Sequence, residues 1–164
     1  MSRTAIVAGA VAAITIAAGF TLRIKYDDWF VFPKTRQMVA DQLVDPLSAQ
    51  FRNDWIAKDG WHCGEVNAKN GMGGYGGFKR FIAGQQNKII YLEGVGMLGD
   101  TSHEEWMAIL DKQIAFNENW AKNREKYAEL GLRLPPESER REKAKAEVFE
   151  DHWKAICEAS AITS

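Results

Sequence analysis

The sequence has no excess of charge of either sign. Its 164 residues carry 21 basic and 22 acidic side chains, a net charge of −1. No positive field is left over for a phosphate backbone, so nucleic acid is excluded as a partner class. Cysteine is scarce, with Cys63 and Cys157 making up the whole complement. They form no CxxC, and His62 beside Cys63 has no further ligands with which to build a zinc site. Histidine numbers three. His103-Glu104 opens like a zinc-protease motif, yet no second histidine follows one turn on. None of Ser48, Ser102 or Ser160 sits in a nucleophile elbow. The residues point to no catalytic centre, no metal and no cofactor.

The sequence does contain one long uncharged run, Thr4 to Leu22. At about 1.5 Å per residue a helix over it covers about 28 Å, one hydrocarbon core. Arg3 precedes it, and Arg23 and Lys25 follow. Tyr26, Trp29, Phe30 and Phe32 then stand where an interfacial aromatic belt would be. A cleaved signal peptide would have a shorter apolar region ending at a small-x-small site. Here Gly19, Phe20, Thr21 and Leu22 carry the run onward, so residues 1–25 read as a transmembrane anchor or uncleaved signal. Ala5, Gly9, Ala13 and Ala17 form a small-xxx-small stripe along it, which would let two copies pair through the membrane helix.

Orientation divides the signals. Arg23, Lys25, Lys34 and Arg36 outnumber Arg3, which faces the remainder of the chain toward the cytoplasm. Two distant cysteines in a small exported domain favour a bridge and the oxidising side of an inner membrane. Two buried free thiols are the alternative.

Periodicity divides the remaining chain in two, residues 26–99 and 100–164. Pro33 fits the first turn of a short helix with Met38, Val39, Leu43 and Val44 on its apolar side, and Asp45-Pro46 stops it. Strands near 50–56 and 61–67 flank Asp59-Gly60, a hairpin turn. "GFKRFIAG" and "NKIIYLEG" read as two more strands, giving an antiparallel meander of about four. Thr101 and Ser102 each stand three residues before a glutamate, as in a capping box. Trp106, Ile109, Leu110, Ile114 and Trp120 continue a helical stripe, and Leu130-Gly131-Leu132 reads as a Schellman stop. Past Pro135-Pro136 a second helix begins charged all round and ends with Val148, Phe149, Trp153 and Ile156 on one side. The expected fold is α+β, with a C-terminal helical hairpin that packs back on the sheet.

The stretch "CGEVNAKNGMGGYGGFKRF" invites comparison with a phosphate loop. No serine or threonine follows Gly77-Phe78-Lys79 as a Walker loop requires, and the glycines lead into a strand rather than a helix. Positive φ and bends between strands account for them. Gly73, Gly74, Tyr75, Gly76, Gly77 and Phe78 are kept as a candidate binding loop for a peptide or glycan. Glu65 and Glu93 are the candidate carboxylates for a glycosidase-type reaction.

"DPLSAQFRN" followed by "CGEVNAKNGMGGYGGFKRF" resembles a pattern found in many small bacterial and prophage proteins, DPxSAxFRN ahead of CGxVNxKNxxGGYxGFxxF. The resemblance covers roughly residues 38–92, with a final Trp153…Cys157. It implies an exported or lipid-anchored protein with a disulfide-linked domain and no assigned activity. The expected protein is a membrane-anchored envelope accessory without catalysis, of a Gram-negative bacterium or its phage. Its domain would be periplasmic, with Trp106, Trp120 and Tyr127 facing a protein partner. A cell-wall-acting hydrolase using carboxylates near the glycine loop is the alternative.

Overall fold

The computed structural model describes residues 27–86, 88–98 and 102–159. The anchor assigned to residues 1–25, with Ala5, Gly9, Ala13 and Ala17, lies outside the described residues. Among the described residues no helix is long and apolar enough to cross a membrane.

The protein is α+β. Five antiparallel strands lie side by side in chain order: β1 (Gln50–Ile56), β2 (Trp61–Asn67), β3 (Lys79–Gly84), β4 (Ile89–Leu92) and β5 (Gly96–Leu98). The sheet has one strand more than the sequence predicts. β5 is three residues long and opens on Gly96 at φ 93, so no alternation marks it. At the β1–β2 turn Asp59 and Gly60 take φ 60 and 78. Two successive left-handed residues give the twist that a tight hairpin needs.

The first hairpin is also bulged. Pairing runs regularly from Gln50↔Asn67 to Arg52↔Glu65, then slips before Trp55↔Cys63. Asn53 absorbs the extra residue at φ 50, a conformation asparagine tolerates better than most. Opposite it stands Gly64. A Cβ on Gly64 would lie 2.5 Å from Asp54 Cβ and 2.9 Å from Asp54 Cα. The missing side chain therefore gives Asp54 its place.

Strand alternation sorts the side chains onto two faces. Val66, Phe81, Ala83, Ile90 and Leu92 form one core with Val39 of the helix α1 (Phe32–Ala40), and Met38 and Leu43 pack against it. Cys63, Ile82 and Tyr91 form the other, completed by Phe149, Trp153 and Cys157 from the end of the chain. The sheet is thus sandwiched between helices, and the unit read as 26–99 closes its core with residues from 100–164.

The C-terminal part is the expected hairpin, with local differences. Helix α2 (His103–Lys122) starts at Ser102, whose hydroxyl accepts from Glu105 N at 3.1 Å. The Glu105 carboxylate does not complete the capping box. It is buried and accepts instead from His152 Nε2 at 2.8 Å. Asn123 breaks the helix, and α3 (Arg124–Glu129) follows. The Schellman stop is present: Leu132 N donates to Tyr127 O, Gly131 N donates to Ala128 O, and Gly131 holds φ 69. The first half of helix α4 (Glu137–His152), charged all round in the sequence, still buries Ala144. A π-helical segment, Trp153–Glu158, ends the described chain.

Within that segment Cys157 forms a disulfide with Cys63, Cα to Cα 6.0 Å, across a sequence separation of 94. Both sulfurs are fully buried.

Two outcomes follow. Reduction, or Cys157→Ser, should lower stability by up to about 4–5 kcal/mol on a chain-entropy basis, read as an earlier urea midpoint. Gly64→Ala should cost about 1–3 kcal/mol by driving a methyl into Asp54, whereas Gly71→Ala, in open space, should cost far less. Equal midpoints for the two glycine variants would show that the bulge does not depend on the absent side chain.

Candidate functional site

The glycine-rich loop closes on itself. Asn70 Oδ1 accepts from Met72 N at 3.0 Å and Gly74 N at 3.1 Å, while Asn70 O accepts from Gly73 N at 2.9 Å. These three amides are satisfied within the loop and are not free to bind a phosphate. Gly73 and Gly77 sit at φ 80 and 94, the steric role the sequence predicts. Phe78 lies under the Arg52 guanidinium, 3.8 Å from carbon to ring centroid. Tyr75 is half exposed and reaches back to Ser48 O at 3.4 Å.

The candidate carboxylates are both held by arginine. Arg52 Nε donates to Glu65 at 2.5 Å, and Arg80 donates to Glu93 through Nη2 at 2.6 Å and through its backbone N at 3.0 Å. Arg80 also pairs with Glu150 of α4. The Arg80 hydrogen bond holds the Glu93 carboxyl below the ordinary carboxylate range. A glycosidase acid needs the opposite, a carboxyl that keeps its proton near neutrality.

A polar cluster that the sequence did not announce lies beneath α1. Thr35 and His62 are fully buried, and the Asp54 side chain is nearly so. His62 stacks on Phe32 at 4.7 Å and meets the edge of Phe81 at 5.1 Å. Its Nε2 donates to Asp54 Oδ2 at 3.1 Å, and its Nδ1 meets the Thr35 hydroxyl. Arg36 closes the row with a two-pronged contact, Nε to Oδ2 at 2.7 Å and Nη2 to Oδ1 at 2.9 Å. His62 is therefore not the lone residue beside Cys63 that the sequence presents.

Protonation follows from these partners. Burial pushes His62 down to about 4, with Asp54 opposing and Arg36 assisting. A neutral ring donating from Nε2 must accept at Nδ1, so the Thr35 hydroxyl donates there. Burial would raise Asp54, but Arg36 and His62 outweigh it and hold the carboxyl below its ordinary value. Hydroxyl, imidazole and carboxylate stand in the order that activates a nucleophile. Here the hydroxyl and the ring are both sealed from solvent, so the row clasps α1 to the sheet.

The hairpin carries the other candidates. Trp120 and Tyr127 lie 4.4 Å apart between centroids with their planes tilted by 31°, and Phe116 lies 6.1 Å from Trp120. With Pro135, Arg140 and Lys143 they line an open groove of about 550 Å³. Lys143 Nζ sits 5.0 Å above Phe116. Trp106 is half exposed beside His103. It stands fourteen residues before Trp120, roughly 21 Å along the helix axis, so the structure joins Trp120 to Tyr127 and leaves Trp106 apart.

Acid should weaken the fold in a defined window. The folded His62 value of about 4 lies below the ordinary 6.5, so the unfolded chain takes the proton first. Stability is complete above 6.5 and declines as pH falls toward 4, by about 3 kcal/mol. Asp54, also depressed, adds its loss below 3.8. Urea unfolding across pH 7.5 to 4 checks this. His62→Gln should be weaker at pH 7 and should lose most of the slope.

Among known proteins, no family model, no curated protein and no solved structure matches this chain.

Proposed function

We propose that the chain is an envelope accessory protein that binds rather than catalyses. Residues 1–25 would hold it in a bacterial inner membrane, with the disulfide-linked α+β domain displayed in the periplasm to a protein partner. The observation that carries this reading is the aromatic groove of the hairpin. Phe116, Trp120 and Tyr127 meet there outside both sheet cores, in an open groove lined by both α2 and α4. Tryptophan, tyrosine and arginine are the side chains that most often anchor protein interfaces, and Trp120, Tyr127 and Arg140 all line this groove. The Cys63–Cys157 bridge supports an oxidising compartment, as does the resemblance to exported prophage proteins. The bridge outweighs the positive charges after Leu22, which favour a cytoplasm-facing domain. The hydrolase reading has the weaker support, because Glu65 and Glu93 are both neutralised by arginine.

A photo-reactive side chain at Glu139, on the rim of the groove, tests this in intact membranes of the native host. A discrete adduct with a second protein is expected, lost in Trp120→Ala/Tyr127→Ala and retained in Glu65→Gln/Glu93→Gln. An adduct unchanged by loss of both rings, or abolished by the carboxylate pair, would overturn the assignment.

A further inference from the structure

A second surface is built where β2 leaves the sheet and β3 enters it. The Pro46–Ser48 turn and the glycine-rich loop are stitched together there. Lys69 N donates to Ser48 Oγ at 2.9 Å, the Tyr75 hydroxyl donates to Ser48 O at 3.4 Å, and Gln50 Nε2 donates to that hydroxyl at 3.3 Å. The stitching holds apolar side chains out in water. Leu47 is 100% exposed, Met72 97%, Val44 77% and Tyr75 46%. Large apolar side chains gathered on one end of a domain mark a contact surface.

Beside them lies a slot of about 170 Å³. Leu43, Val44, Val66 and Leu92 give it apolar walls. Gly76 and Gly77 form part of its rim, and a Cβ on either would meet nothing within 4 Å, so space remains for another backbone to approach. Lys69 and Lys79 also line it, and no carboxylate does. Glu93 lies near enough to Lys79 to feel its charge, but its oxygens are taken by Arg80. Among the described residues no salt bridge involves either lysine.

We propose that this slot receives the carboxyl-terminal residue of a partner polypeptide, its apolar side chain between Leu43, Val66 and Leu92 and its terminal carboxylate against Lys69 and Lys79. The chemistry is that of an apolar group bearing a carboxylate, which a fatty acid shares. Size decides for the peptide. Sites for drug-sized molecules run to roughly 300–1,000 Å³, and this slot is well below that, a size suited to one apolar side chain. The lysines supply charge complementarity, and the exposed Leu47, Met72 and Tyr75 offer contact to the residues preceding the terminus. This surface shares no residue with the aromatic groove and does not depend on it.

The test uses the full chain in nanodiscs with labelled valine and leucine methyls. Short acetylated Gly/Ser peptides ending in leucine or phenylalanine are titrated as free acids and as amides, with decanoate as a third arm. Free acids should shift the Val44, Val66 and Leu92 methyls. The amides should bind roughly tenfold or more weakly, as should the free acids to Lys69→Ala or Lys79→Ala. Unchanged Val148 methyls in both lysine variants would show that the fold is intact. Equal binding of acid and amide, shifts with decanoate alone, shifts confined to residues around Trp120, or no shift at millimolar peptide would each overturn the proposal.

Discussion

Three consecutive residues of the first hairpin hold the molecule together, and strand alternation is what lets them do so. His62 points to one face of the sheet, where Thr35 and Asp54 meet it under α1. Cys63 points to the other, where Cys157 is bonded to it. Gly64 turns back to the first face and offers no side chain, which is the space Asp54 occupies. One strand thus fixes a helix on each side of the sheet, by a hydrogen-bonded row on one and a covalent bond on the other. A shift of register by one residue would exchange the two faces and break both attachments.

Much of the fold was legible because local rules and tertiary demands agreed. Asp59-Gly60 permits the left-handed pair that a tight hairpin requires, and both flanking strands lie where the alternation places them. Leu130-Gly131-Leu132 stops its helix with the two bonds that the pattern implies. β5 was illegible because three residues carry no period. The capping box was half right: Ser102 caps, while Glu105 is drawn away by a histidine 47 positions further on. No local pattern reports a partner at that distance.

The candidate sites divide in the same way. The glycines could be assigned to turns because a phosphate loop needs neighbours that are missing. The clasp could not be found, since Thr35, Asp54 and His62 come from three separate elements and each is unremarkable where it stands. One signal was present in hindsight. An asparagine before an aspartate in a strand-like run, with a glycine two residues after a histidine in the next strand, marks a bulge that aims the aspartate at the imidazole. Trp106, Trp120 and Tyr127 read in the sequence as one partner-facing set, with Trp106 and Trp120 on a single helical stripe. The break at Asn123 is what brings Tyr127 back onto Trp120 and leaves Trp106 apart.

The order in which the two sulfurs are made has a consequence for biogenesis. Synthesis runs from the amino end, so all five strands exist before residue 157 does. Until then the Cys63 thiol waits on a finished strand with one face of the sheet uncovered. Oxidation between these two positions therefore needs the segment around residue 157 in place against the sheet. A chain lacking that segment would leave the Cys63 thiol unpaired and one apolar face of the sheet uncovered.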